Sequence, residues 1–253
     1  MKLFSLEGQT AVVTGGGRGI GKAIALALAE AGANVAVTSR TEDELKTVCE
    51  EIENKHNRKA YYQTADIRSQ ESIQSFVDYV IKEEGKIDIL VNGAGMNVRG
   101  EMLDLEEDEW DFVMDVNLKS VYLVSKTVIP HMQKQQHGKI INIASLTSEI
   151  AFPNMPVYAA SKGGVSQLTK AMAVEYAKDG IKTNAIGPGY FKTEMTKVLF
   201  EDKEKVKWME SRIPLNRVGD VEDLQGSAIF LASKASDYIT GQTVYVDGGW
   251  LIS

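Results

Sequence analysis

Three side chains that could move a proton together lie in one stretch of this chain: the hydroxyl of Ser145, the phenol of Tyr158 and the ammonium of Lys162. Ser145 follows an apolar run at residues 140–144, which is typical of a buried strand. Tyr158 and Lys162 are four residues apart, a spacing that puts both side chains on one face of a helix. Because a nearby ammonium favours the phenolate, we expect Lys162 to lower the pKa of Tyr158. The pattern predicts a proton-transfer site without histidine or metal.

The Tyr-x-x-x-Lys spacing does not identify such a site by itself. The chain holds a second pair, Tyr122 and Lys126, with Glu109 at the position that corresponds to the upstream serine. The elements around the first pair must therefore decide whether it is functional.

Length, charge and cysteine content exclude several classes of protein. The 253 residues suffice for one α/β domain with a substantial core. A net charge of −7 disfavours nucleic acid and anionic membranes as partners. The single Cys49 cannot form an internal disulfide, and the chain has no apolar run of signal-peptide or membrane-span type, so we expect a cytoplasmic protein. His56, His131 and His137 show no metal-ligand spacing, so no metal site is predicted.

A glycine-rich turn lies between a predicted strand and a predicted helix. The strand covers residues 10–14, the turn 15–21, the helix 20–31 and a second strand 34–39, which together make a βαβ unit. Free N–H groups at the helix N-terminus favour a pyrophosphate, and glycine lets the backbone approach it closely. The alternative is a plain tight turn. The candidate phosphate contacts are Gly15, Arg18, Gly19, Ile20 and Gly21.

The turn reads Thr14-Gly15-x-x-x-Gly19-x-Gly21, which differs from G-x-G-x-x-G and resembles the turn of the short-chain dehydrogenase/reductase family. Asn117, Ser145, Tyr158 and Lys162 follow in that family's order. The resemblance implies an NAD(P)-dependent oxidoreductase that transfers a hydride between nicotinamide and a secondary alcohol or ketone. It implies Tyr158 as the acid–base, Ser145 as partner of the carbonyl oxygen, and Lys162 also as a ribose ligand. Asn117 is then expected to hold a water that connects the lysine to solvent.

The end of the second strand decides between the two nicotinamide cofactors. A carboxylate there binds the 2′-hydroxyl of NAD, whereas a basic residue accommodates the 2′-phosphate of NADP. This chain has Ser39 and Arg40 there, with Arg18 in the turn, so we expect NADP, with NAD possible. The alternative is that Arg40 only begins a solvated loop.

Further cofactor contacts are implied by the family resemblance. Asp66 and Ile67 follow the third strand and are expected at the adenine. Asn92 and Ala94 belong to a segment in which the family's usual Asn-Asn-Ala-Gly departs at Gly93. Pro188 and Thr193 are expected to bracket the nicotinamide amide, next to Tyr158 and Lys162.

Residues 148–149, 187–197 and 246–249 are most like those of family members that act on sugar acids such as gluconate. We therefore expect a sugar acid or polyol as substrate, bound by Arg99, Ser145, Glu149, Tyr158 and Tyr190. Arg99 supplies charge for a carboxylate and Glu149 accepts from hydroxyl groups, although each could be a solvated loop charge. A 3-oxoacyl-[acyl-carrier-protein] reductase is the alternative, which needs a basic docking patch for its acidic partner. A nucleotide-sensing binding module without turnover is the alternative that is not an enzyme.

Strands and helices alternate along the whole chain. We predict a single doubly wound Rossmann domain, residues 1–253, with a parallel sheet of about seven strands and helices on both faces. A long helix is predicted at 105–135, kinked or ended by Pro130, and another at 157–179. Residues 187–215 are expected to form a lid over the substrate. The resemblance implies a homotetramer built from these two long helices and the C-terminal region.

Overall fold

The computed structural model describes residues 2–253 and contains one sheet of seven parallel strands in the order β3-β2-β1-β4-β5-β6-β7. The strands are β1 Thr10–Thr14, β2 Asn34–Thr38, β3 Ala60–Tyr62, β4 Ile89–Asn92, β5 Gly138–Ile143, β6 Ile181–Pro188 and β7 Thr243–Val246. The α-helices are α1 Gly19–Glu30, α2 Glu42–His56, α3 Gln70–Glu84, α4 Glu107–Met114, α5 Ser120–Gln135, α6 Pro156–Tyr176, α7 Lys197–Glu201, α8 Lys203–Arg212 and α9 Gln225–Ala232. The predicted doubly wound parallel sheet is confirmed.

The central strands are continuously apolar because helices cover both faces of the sheet. Successive side chains of a strand point to opposite faces, so Val12 and Val13 of β1 enter two separate cores. Val13 lies in a core with residues of α1, α2 and α9, such as Leu28. Val12 lies in a core with residues of α3, α5 and α6, such as Phe76. These two cores hold the carboxyl ends of the strands in fixed positions.

The strand order reverses between β1 and β4: from β1 the chain adds strands on one side of the sheet, and from β4 it adds them on the other side. Ligands of such sheets bind in the crevice outside the carboxyl ends of the strands at this point. The glycine turn follows β1, the segment 93–96 follows β4, and Ser145 lies two residues beyond β5. The topology therefore brings the three predicted segments to one edge of the sheet.

The predicted helix at 105–135 is interrupted. A π-helical turn, Asp115–Lys119, separates α4 from α5, and its wider winding coincides with the complete burial of Asn117. Helix α5 continues through Pro130 to Gln135, so the proline does not end it. A 3-10 turn, Val221–Leu224, leads directly into α9.

Two short helices, α7 and α8, make up most of the segment 187–215. Met209 of α8 is buried in a small cluster with Leu146, which adjoins Ser145, and with Trp250 near the C-terminus. This cluster places α8 above the carboxyl end of the sheet. Across residues 2–253, no helix is both long enough and apolar enough to cross a membrane.

Candidate active site

Ser145, Tyr158 and Lys162 come together beyond the carboxyl end of β5. Ser145 caps a 3-10 turn, and its Oγ accepts a hydrogen bond of 3.2 Å from the backbone N–H of Thr147. Tyr158 and Lys162 lie in the first two turns of α6, which begins with Pro156 at a position where proline favours helix initiation. The Lys162 Nζ is 5.8 Å from the centroid of the Tyr158 ring. The helical spacing predicted for this pair is confirmed.

Burial controls the protonation of this group. Lys162 is only 3% exposed, and desolvation lowers its pKa to about 8. Its Nζ donates a hydrogen bond of 2.7 Å to the carbonyl oxygen of Ile143. Desolvation raises the pKa of Tyr158, and the opposing effects of a Ser145 hydrogen bond and the Arg99 charge are smaller. Burial thus opposes the lowering of the Tyr158 pKa that is expected from Lys162, and that expectation stays a prediction.

Hydrogen bonds of the Asn117 side chain connect the segment after β4 to helix α6. Its Oδ1 accepts from the backbone N–H of Met96 at 2.8 Å, and its Nδ2 donates to the Met96 carbonyl at 2.9 Å and to Ser161 Oγ at 3.0 Å. Both amide hydrogens are thus used by the protein itself. The Asn117 side chain therefore has no amide hydrogen left for the water that the resemblance implies, and that role stays a prediction.

The glycine turn has the shape of a phosphate cradle. Gly15 and Gly19 adopt the left-handed conformation, with φ of +66° and +54°. A Cβ on Gly21 would overlap the carbonyl oxygen of Gly15, so only glycine permits this turn. No side chain caps the N-terminus of α1, where Arg18 is the capping residue, and Ile20 turns its side chain towards the core behind the turn. The free N–H groups and the close-packed glycines fit the pyrophosphate of a dinucleotide.

Arg18, Ser39 and Arg40 surround the point where β2 ends. The Ser39 Oγ accepts a hydrogen bond of 3.3 Å from the backbone N–H of Thr41. In the part of the chain that the structure describes, Arg40 has no ion-pair partner, whereas Arg18 Nη1 lies 3.5 Å from Glu44 Oε1. The hydroxyl also donates to the Thr41 carbonyl oxygen at 3.5 Å. Two guanidinium groups near this hydroxyl fit a phosphate on the adenosine ribose.

Two of the predicted cofactor contacts use their side chains elsewhere. The Asp66 carboxylate accepts from Arg68, whose Nη2 lies 2.6 Å away, and this hydrogen bond lowers the pKa of Asp66. The Asn92 amide donates to Ser125 Oγ at 3.1 Å and to Asn142 Oδ1 at 2.8 Å, inside the core. Both Asp66 oxygens accept from Arg68, and the Asn92 Oδ1 is buried without a hydrogen-bond partner within residues 2–253.

The remaining predicted cofactor residues also lie at or after the carboxyl ends of strands, and Ile67 lies next to Asp66 in the loop after β3. Ala94 approaches the glycine turn so closely that a Cβ on Gly15 would lie 2.7 Å from its Cα. Pro188 is the last residue of β6, and Thr193 begins a 3-10 turn five residues later. The Thr193 side chain faces the glycine turn, 3.8 Å from the place of a Cβ on Gly19. The base of the segment 187–215 thus lies next to the glycine turn.

Arg99 is a cation whose charge acts on Tyr158 and Tyr190. It is exposed and has no ion-pair partner within residues 2–253, and its charge lowers the pKa of both Tyr158 and Tyr190 against the effect of burial. Tyr190 packs against Trp250, with ring centroids 4.8 Å apart, and against Phe152. An unpaired guanidinium beside an aromatic wall suits a small anion with hydroxyl groups.

Glu149, also predicted to bind the substrate, does not belong to the group formed by Arg99 and Tyr190. Its Oε1 accepts a hydrogen bond of 2.8 Å from the Tyr245 hydroxyl. It lines a surface cleft together with Lys170 and Thr240, and this cleft does not include Ser145. The prediction of Glu149 as a substrate ligand is therefore not supported by the geometry, because its carboxylate turns towards β7 and the C-terminal part of α6.

The sequence analysis names Thr14 only as part of the turn motif and gives no role to two further contributors, Ser161 and Glu44. Thr14 Oγ1 accepts from the backbone N–H of Gly93 at 3.2 Å and so joins the ends of β1 and β4. Ser161 supports Asn117, and its position three residues after Tyr158 was the available signal. Glu44 lies beside Arg18, but its distance in sequence from the glycine turn gave no signal for this.

Comparison with known proteins identifies the family of the chain. A family model described as Enoyl-(Acyl carrier protein) reductase matches residues 15–251. The 5-keto-D-gluconate 5-reductase of Escherichia coli (strain K12) is 40% identical over 251 residues, which cover 99% of this chain and 98% of the relative. The 2-dehydro-3-deoxy-D-gluconate 5-dehydrogenase of Bacillus subtilis (strain 168) is 44% identical over 248 residues, covering 98% of this chain and 96% of the relative.

A solved structure extends the comparison to three dimensions. A gluconate 5-dehydrogenase from Burkholderia cenocepacia J2315, in complex with NADP and tartrate, superimposes with a TM-score of 0.96. The two chains are 41% identical, and the match covers 100% of this chain and 98% of that one. Family model, relatives, fold and the order of the site residues agree, and the chain belongs to the short-chain dehydrogenase/reductase family.

Proposed function

We propose that the protein is an NADP-dependent oxidoreductase that interconverts a secondary alcohol and a ketone on a sugar acid, with gluconate as the leading substrate. The observation that carries this proposal is the meeting of Ser145, Tyr158 and Lys162 at the edge of the sheet that also bears the glycine turn. The relatives named for gluconate and 2-dehydro-3-deoxy-D-gluconate support the substrate class.

The chain's own residues suit NADP. The N–H groups of the glycine turn would hold the pyrophosphate, and Arg18 and Arg40 would hold the 2′-phosphate. Lys162 would hold the nicotinamide ribose, and Thr193 lies where it could contact the amide. When bound, the cofactor supplies the hydride acceptor or donor. The related Burkholderia structure, which contains NADP, supports this choice over NAD.

Tyr158 would take the proton of the substrate alcohol during oxidation and return it during reduction. Ser145 would donate a hydrogen bond to the same substrate oxygen and so fix its position. Because burial raises the pKa of Tyr158, its phenolate needs positive charge nearby. Lys162, with a pKa of about 8, is still largely an ammonium at neutral pH and would supply that charge.

Arg99 and Tyr190 would recognise the sugar acid. The guanidinium of Arg99 is exposed and without an ion-pair partner in the described part of the chain, which leaves its donors free for a carboxylate. The tartrate in the Burkholderia relative is also a hydroxy acid. The alternative of a 3-oxoacyl-[acyl-carrier-protein] reductase is not favoured, because the relatives quoted above are named for sugar acids.

Three further proposals concern the whole molecule. The segment 187–215 would act as a lid, since its Thr193 lies next to the glycine turn and its α8 packs on Trp250. A homotetramer would cover apolar side chains that α5 and α6 expose, such as Tyr122 and Val174. A cytoplasmic location fits Cys49, whose burial raises its pKa to about 12 and keeps the thiol unreactive.

The test is a substrate panel followed by absorbance of the reduced nicotinamide. D-gluconate is offered with NADP⁺ or NAD⁺, 5-keto-D-gluconate with the reduced cofactors, and a 3-oxoacyl thioester with NADPH. We expect turnover of the sugar acids with NADP(H).

Arg99→Ala is expected to raise the KM for gluconate about tenfold or more without changing NADPH affinity. Arg58→Ala, which lies far from the site, is the control and should leave both the KM and the NADPH affinity unchanged. Turnover of the thioester alone would contradict the proposal.

A further inference from the structure

A carboxylate that the sequence does not place at the cofactor site lies beside the end of β2. Glu44 belongs to the first turn of α2, and its side chain reaches back to the glycine turn. A Cβ on Gly17 would lie 3.1 Å from Glu44 Oε2 and 3.1 Å from Ser39 Oγ. The carboxylate and the hydroxyl therefore flank the same point above Gly17.

This carboxylate is in contact with one of the two cations expected to bind the 2′-phosphate. Arg18 Nη1 is 3.5 Å from Glu44 Oε1, and the side chains of Arg18 and Glu44 are 67% and 32% exposed. An ion pair this open to water is weak, so a phosphate can compete for the guanidinium. A phosphate at this point would nevertheless face the negative charge of Glu44.

The chemistry of that position differs for the two cofactors. A carboxylate at the end of the second strand accepts hydrogen bonds from the ribose hydroxyl of NAD, whereas basic groups there accommodate the phosphate of NADP. The residues directly after β2, Ser39 and Arg40, include no acid. Helix α2 supplies the acid from four residues further on.

We infer that Glu44 is a specificity-determining residue for the cofactor, which accepts a hydrogen bond from a ribose 2′-hydroxyl and disfavours a 2′-phosphate. Arg18 and Arg40 attract the phosphate, and Glu44 opposes them. The protein consequently prefers NADP over NAD by a smaller factor than it would if only the two arginines were present. This inference rests on the proposed function, because it requires a nicotinamide dinucleotide in the crevice.

The experiment measures binding of the adenosine end alone. Adenosine 2′,5′-bisphosphate and AMP are titrated into the full-length protein by calorimetry at low salt, for wild type, Glu44→Gln and Glu42→Gln. Glu42 is an exposed acid in the same helical turn, so its variant has the same net charge without the contact to Arg18. Thermal unfolding checks that each variant is folded.

We expect Glu44→Gln to raise the affinity ratio of the bisphosphate to AMP by about three- to fivefold, with less effect at high salt. Glu42→Gln is expected to leave the ratio within about twofold of wild type. An unchanged ratio in Glu44→Gln, or an equal change in both variants, overturns the inference while the cofactor assignment stands. Failure of wild type to bind either compound overturns both.

Discussion

Replacement of Lys162 by methionine tests the desolvation of the ammonium at the reaction centre. In the unfolded chain this lysine titrates near its ordinary pKa of 10.5, and in the folded protein near 8. Between these two pH values the unfolded chain binds a proton that the folded protein has lost. Folding stability therefore rises with pH across this window. The methionine variant has no titrating group at this position, so its free energy of unfolding lacks this increase with pH.

The magnitude follows from the two pKa values. From pH 7 to pH 9.5, the free energy of unfolding of wild type should increase by about 2 kcal/mol relative to Lys162→Met. Titratable groups that do not contact Lys162 behave alike in both proteins and cancel in the difference. Urea unfolding, followed by tryptophan fluorescence at fixed protein concentration and at both pH values, gives the two free energies.

Lys126→Met is the matched control, because Lys126 belongs to the second Tyr-x-x-x-Lys pair and is exposed on α5. The free energy of unfolding of Lys126→Met, relative to wild type, should not change with pH over this range. If the free energy of unfolding of Lys162→Met relative to wild type also did not change with pH, the ammonium would be hydrated in the folded protein. The account of how burial sets its pKa would then be refuted.

Three further changes have defined outcomes. Gly21→Ala should weaken NADPH binding at least about tenfold by calorimetry, because the new Cβ overlaps the Gly15 carbonyl oxygen; unchanged affinity would refute the cradle. Asn117→Ala should lower the free energy of unfolding by about 3 kcal/mol, since three buried hydrogen bonds are lost, and a urea midpoint equal to wild type would argue against this. Asp237→Asn should cost about 1–2 kcal/mol in the same assay and leave kcat unchanged, because buried Lys139 loses its ion-pair partner at 2.8 Å.

The fold was predictable from sequence because its signals are local. Strands buried on both faces appear as short apolar runs, and the glycine turn follows β1 directly. The interruption of the helix at 105–135 was not predictable, because the π-helical turn depends on where Asn117 finds its partners. Those partners, Met96 and Ser161, are 21 and 44 residues away in sequence.

The candidate site was predictable in position but not in detail. The spacing of Tyr158 and Lys162 fixed their common face, whereas the pKa of Tyr158 depends on burial, which spacing does not reveal. The sequence also did not reveal in which direction a side chain points. Glu149 turns away to Tyr245, and Glu44 turns towards the glycine turn, although both stand in polar loops or first helical turns.

The central claim is that Tyr158 transfers the proton during interconversion of alcohol and ketone. The most direct measurement is kcat for gluconate oxidation with NADP⁺ by wild type and Tyr158→Phe, with Tyr122→Phe as control and NADPH affinity measured for all three. We predict that Tyr158→Phe lowers kcat by at least about a thousandfold and keeps NADPH affinity within about twofold, while Tyr122→Phe behaves as wild type. Wild-type turnover by Tyr158→Phe would contradict the account.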